Sequence, residues 1–132
     1  MRIRTAAPIL AIVAVLGAGG CGSSDEDSVK SAIEDYNTAI ADKDAGKACD
    51  LLSADAKKQI GGASCEKTVE QGLGLLNDKQ ISGFKQGEVK NVKVDGDKAT
   101  ATVRFPKAVG IPPQPQRLTK EDGGWKLESR QS

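Results

Sequence analysis

The chain contains no histidine. That absence removes serine–histidine and cysteine–histidine nucleophilic sites, and with them the usual zinc ligand sets. Aromatic residues are nearly as scarce: Tyr36, Phe84, Phe105 and Trp125 are the whole complement in 132 residues. A groove that stacks sugars or bases is hard to build from four rings. An excess of one charge is also lacking, with 19 basic residues interspersed among 18 acidic ones. Nothing in that balance makes the electrostatic footprint of a nucleic-acid partner. No apolar run reaches the roughly 20 residues that a bilayer-spanning helix requires. Gly72-Leu73-Gly74 lacks the Gly-Lys-Ser/Thr ending of a phosphate loop. The sequence therefore calls for no cofactor and no metal.

What is present begins at the N-terminus. Arg2 and Arg4 precede an almost wholly apolar stretch from Ala6 to Ala18, which gives way to Gly19-Gly20-Cys21 and then to the polar run Gly22 to Asp27. Charge, then apolar residues, then small residues is the layout of an export signal. An ordinary secretory site would be satisfied by Ala18-Gly19-Gly20; the distinguishing residue is Cys21 directly after it. Leu16-Gly17-Ala18-Gly19-Gly20-Cys21 resembles the lipobox of bacterial lipoproteins, with Ala18 where leucine is usual. The resemblance implies that residues 1–20 are a lipoprotein signal peptide and that Cys21 carries the lipid. It also implies a palmitate-type acylated anchor on the extracytoplasmic face of the cell membrane. Stable anchoring takes two acyl chains or more, which a diacylglyceryl cysteine supplies. Residues 21–27 then read as a flexible tether.

Loss of residues 1–20 leaves one more acidic than basic residue and a chain the size of one small domain, 28–132 after the tether. Its two other cysteines, Cys49 and Cys65, are an even remainder in an oxidising compartment, and they read as a disulfide. No further cysteine or histidine supports a metal pair, and neither cysteine stands in a Cys-x-x-Cys redox spacing.

The domain divides into a helical half and a strand half. Val29, Ala32, Ile33, Tyr36 and Ile40 recur with helical spacing, capped by Asp27 or Ser28. A second helix is predicted over Ala45 to Leu52, and a further turn capped by Ser53 or Asp55 runs to Ile60. Gly61-Gly62 stops it, and Ser64 caps a third helix from Cys65 to about Asn77, in which Gly72 and Gly74 imply close packing against a neighbour. From residue 81 the period changes to two. Val92 and Val94 lead into an Asp95-Gly96-Asp97 turn, and Ala99, Ala101, Val103 and Phe105 follow on one face. Arg117 to Lys120 and Trp125 to Ser129 make a second hairpin. Consecutive hairpins imply an antiparallel sheet with one face buried beneath the helices, which is the α+β class.

That order resembles the NTF2-like (SnoaL-like) fold, and more narrowly the small NTF2-like lipoproteins of high-GC Gram-positive bacteria. The residues that carry the likeness are the Tyr36 helix, Asp42 to Leu52 with Cys49, the second cysteine Cys65, Val94 to Thr100, and Gly123 to Leu127. The resemblance implies a cone in which helices are wrapped by a curved antiparallel sheet, with a pocket between them. Tyr36, Phe105 and Trp125 are the candidate lining residues. Members of that fold include isomerases, dehydratases and cyclases as well as non-catalytic binding domains, so fold alone assigns no activity.

Each candidate has a plainer alternative. Isomerase-type catalysis would pair a carboxylate base with a tyrosine donor such as Tyr36, and Asp50 is the nearest approach to a buried acid. Asp50 could equally face solvent on a short helix. Trp125 could face a ligand or close the sheet–helix interface. Pro112-Pro113-Gln114-Pro115 could be a polyproline II recognition segment or a rigid loop. The sequence favours a non-catalytic domain that binds an apolar small molecule or an envelope protein. The alternatives are an interaction module whose cone is filled by its own side chains, and an enzyme of the isomerase or cyclase type.

Overall fold

The computed structural model describes residues 21–128. The signal-peptide reading of residues 1–20 lies outside them, as does the side chain of Cys21. Helix α1 spans Cys21–Ala41 and buries Val29, Ala32, Ile33 and Ile40 along the predicted stripe, with Ala39 and Asn37 beside them. It starts earlier than the sequence implies: residues 21–27, read as a flexible tether, are helical. Nothing in Ser23 to Asp27 breaks a helix, and extending an existing helix costs far less than nucleating one. Asp25 also reaches Lys120 on the sheet at 3.3 Å, which anchors the added turns.

Short, capped helices follow. Lys43 takes a positive φ of 57° in the turn after α1. The Asp44 carboxylate then accepts the Lys47 amide at 3.1 Å to start α2, Ala45–Asp50. The buried Ser53 hydroxyl accepts the Ala56 amide at 3.1 Å to start α3, Ala54–Gln59. Gly61 and Gly62 reverse the chain with φ of 117° and 57°, a region that side chains with a Cβ rarely adopt. Helix α4 is Cys65–Leu73, shorter than expected, and the Ser64 side chain makes no capping bond to it. Gly72 faces open space and Gly74 meets only its own helix end, so neither marks a close approach to a neighbour. Gly72 lies in the last turn of α4 and Gly74 caps it.

A further helix, α5 at Asp78–Gly83, lies between the expected end of the third helix at about Asn77 and the strand region, and takes residues 81–83 from the latter. Its start is a capping box in which the Asn77 side chain accepts the Gln80 amide at 2.8 Å and the Gln80 side chain accepts the Asn77 amide at 3.2 Å. The Cys49–Cys65 disulfide joins α2 to α4 with Cα atoms 6.1 Å apart, and both cysteines are buried.

The strand half is an antiparallel meander in the order β1-β2-β3-β4. The strands are β1 at Glu88–Asp95, β2 at Lys98–Arg104, β3 at Gln114–Glu121 and β4 at Gly124–Leu127. Asp122 and Gly123 both have positive φ, 51° and 79°, as a tight two-residue hairpin turn requires. Gln114 and Pro115 of the proline-rich segment belong to β3, which narrows that segment to a loop leading into a strand.

One sheet face is covered. Ala99, Ala101 and Val103 of β2, Leu118 of β3, and Trp125 and Leu127 of β4 join Val29 and Ile33 of α1 in the core. The fold is α+β, with five helices and a four-stranded sheet among the described residues. One connection ties the halves edge to edge. Leu127 donates its amide to the Leu51 carbonyl and accepts the Ser53 amide, both at 2.8 Å, so the α2–α3 link runs as a parallel bridge along β4. The opposite edge, β1, has no further strand beside it among the described residues and is interrupted by a bulge between Lys90 and Lys93, where Asn91 has φ 56°. A kinked, charged edge is a poor template for pairing with another chain.

Candidate functional site

The covering of the sheet by α1 is incomplete at one end. Beyond the core, the inward positions of β3 change from Leu118 to Gln116 and Gln114, and the space above them stays open. A cleft of about 640 Å³ results, walled by α1, the α3 region, the turn after α5 and the sheet. That volume falls within the roughly 300–1,000 Å³ typical of small-molecule sites. The cleft-lining residues Tyr36, Ile60, Leu76, Phe84, Phe105 and Ile111 make its wall largely apolar. Phe84 and Phe105 meet edge to face, 5.4 Å between centroids and 69° between planes.

Two of the three predicted lining residues come together here, Tyr36 and Phe105. Trp125 does not. It is 5 % exposed, sits in the main core, and lies at a different hollow beside Ser28, Ala32 and Leu51. The reason is register: Trp125 pairs with Lys120 at the turn end of the β3–β4 hairpin, whereas the cleft opens at the opposite end of β3. Its other face carries the Lys120 ammonium, 5.7 Å from the ring centroid.

Sequence reasoning missed Phe84 and Asn37. Phe84 follows a helix that the sequence reading did not separate from the strands. Asn37 carried a signal, since it stands four residues after Ile33 on the buried stripe, where an apolar residue is expected. Asn37 is 5 % exposed and lines the cleft, and its Nδ2 has no hydrogen-bond partner among the described residues. Leaving a buried amide unpaired costs about 1–3 kcal/mol. Gly87 makes room for it: a Cβ there would stand 3.1 Å from Asn37 Nδ2 and 2.8 Å from the Phe105 ring.

A smaller polar hollow of about 270 Å³ adjoins the cleft, sharing Ala56, Gln59 and Glu128 with it. Glu128 accepts a hydrogen bond from Lys98 Nζ at 2.6 Å, and that bond holds the Lys98 ammonium above its ordinary titration range. Glu128 is thus the carboxylate at the cleft, and it is committed to an ion pair. Asp50, the acid that the sequence singles out, is exposed and offers its backbone carbonyl to Lys126 at 2.8 Å. Among the described residues no group of three histidine, cysteine, aspartate or glutamate side chains is placed to hold a metal.

No family model matches the chain, and no curated protein matches it.

Proposed function

We propose that this chain is a lipid-anchored extracytoplasmic binding protein, in which a non-catalytic NTF2-like domain takes an apolar small molecule into the cleft beside Phe84 and Phe105. The observation that carries the reading is the cleft itself, of small-molecule size and walled by the aromatic and aliphatic side chains of an otherwise aromatic-poor chain. The helices-then-meander order and the opening between the two layers are what the NTF2-like resemblance leads one to expect. Gly19-Gly20-Cys21 after an apolar run supports the anchor. An extracytoplasmic setting also suits the Cys49–Cys65 disulfide, because such bonds persist in oxidising compartments.

Native mass spectrometry of protein purified from the cell envelope tests the binding reading. A retained mass of a few hundred daltons that dissociates on unfolding is the expected result. A bare chain, together with no thermal shift from any panel of apolar small molecules, would refute it. The anchor is tested separately with Cys21→Ala: the variant should lose lipid labelling, and unchanged lipid labelling would place the modification elsewhere.

A further inference from the structure

Among the described residues, Asn37 is the one polar side chain in the cleft wall that is deeply buried and has an unpaired donor. Its neighbours on the buried side of α1, Ile33 and Ile40, are aliphatic, so packing alone would place a leucine there. Two further features point the same way. Gly87 leaves the space that the Asn37 amide occupies, and any larger residue would press on both the amide and Phe105. The Asn37 side chain also borders a second, smaller hollow with Thr38, Phe84 and Lys85, so the amide stands between two open spaces. Its Nδ2 is shielded from solvent where it stands. Pairing with a ligand requires a turn about χ2, a broad and roughly two-fold torsion, to carry the donor from this shielded position to the cleft face of Asn37.

We infer that Asn37 is the polar anchor of the cleft, and that the ligand is a mostly apolar molecule bearing a carbonyl that accepts a hydrogen bond from Asn37 Nδ2. This inference rests on the binding reading above. An unpaired donor in an apolar wall discriminates strongly, because a ligand without an acceptor leaves it unsatisfied while one with an acceptor pairs it. Phe84 and Phe105 flank the same position and hold the apolar body of the ligand. The Lys98–Glu128 pair lies on the side of the cleft that adjoins the polar hollow and belongs to its rim.

The test compares two probes of nearly equal size, 2-dimethylamino-6-propionylnaphthalene and its 6-propyl analogue, which lacks the carbonyl. Both are titrated against the full chain in detergent. Energy transfer from Trp125, the single tryptophan, ensures that only protein-bound probe is counted. Wild-type protein should bind the ketone about fivefold more tightly than the propyl analogue, within the factor that one net hydrogen bond supplies. Asn37→Leu should bind the two equally. Equal binding of both probes by wild type overturns the inference and leaves the binding reading standing. A ketone preference that survives in Asn37→Leu overturns the assignment to Asn37. Failure of both probes to bind wild type overturns the inference, and native mass spectrometry then decides the binding reading by itself.

Discussion

Replacing Cys49 and Cys65 together by alanine should destabilise the domain by about 3 kcal/mol. The figure follows from the sequence separation of 16 residues between the bridged cysteines, for which the loop-entropy relation gives about 3 kcal/mol at 25 °C. Both side chains are buried in the core, so loss of their sulfur atoms adds to the entropy term and does not offset it. The sum is a large fraction of the roughly 5–15 kcal/mol that separates a folded domain from its unfolded chain. The assay is urea unfolding of the full chain, followed by the fluorescence of Trp125, which is buried against α1 and must report loss of the core. With a slope of about 1–3 kcal/mol per molar urea, the midpoint should fall by about 1–3 M. Reduction of the wild-type protein should reproduce the entropic part of that fall, because both sulfur atoms remain in place. A midpoint that moves by less than about 0.3 M in both experiments, with the slope unchanged, would show that the bridge does not limit the unfolded chain as argued.

Two glycines should respond in opposite directions. Gly72→Ala places its methyl group in open space on a helix and should stabilise by about 0.5–1 kcal/mol. Gly83→Ala drives a Cβ into the buried Val109 side chain and should destabilise by about 1–3 kcal/mol despite the gain in helix propensity; equal unfolding midpoints for the two variants would contradict the packing around Val109. The Lys98 ammonium is held above its ordinary value of 10.5 by its hydrogen bond to Glu128. A raised folded-state value means that the pair's contribution is fully present below about pH 10.5 and is lost as the pH rises through the folded-state value. Glu128→Gln should therefore lower the neutral plateau of the stability profile slightly and flatten its alkaline limb by the same small amount, because the Lys98 ammonium is solvent-exposed. Identical alkaline limbs in the two proteins would exclude the linkage.

Much of the helical half was legible in the sequence because side chains with one role announce it. The stripe through Val29, Ile33 and Ile40 is buried, Ser53 caps α3, Gly61 and Gly62 turn the chain, and Cys49 and Cys65 are paired. The errors fell where local signals competed. Gly72 and Gly74 read as packing glycines inside a helix running to about Asn77, but the helix stops at Leu73 with Gly74 as its cap, and the Asn77–Gln80 capping box that starts α5 was not read at all. The tether reading rested on polar composition, whereas the chain from Cys21 onward continues as helix and Asp25 finds Lys120 across the fold.

The candidate site was half legible. Scarcity of aromatic residues made Tyr36 and Phe105 conspicuous, and the cleft brings both together. Trp125 takes the second of its two readings, closing the sheet–helix interface, and its place among the lining residues fell because alternation tells which face of a sheet a residue takes but not which end of it is roofed. That depends on where α1 stops covering β3, a tertiary fact with no local spacing to reveal it. Asn37 shows the remaining limit. A polar residue at a buried helical position is visible in sequence, but its lack of a partner appears only once every neighbouring donor and acceptor has a place.

The parallel bridge of Leu51 and Ser53 to Leu127 has a kinetic consequence. The meander can zip from its hairpin turns by local pairing, and the capped helices can form by themselves, but the bridge requires segments 76 residues apart in the case of Leu51 and Leu127 to meet. It is therefore a late contact whose closure converts two locally ordered halves into one cooperative unit. The amide protons of Ser53 and Leu127 should exchange with solvent only when the whole domain opens, at the slowest rate in the molecule. Those of Val92 and Val94 on the open β1 edge should exchange by local fraying.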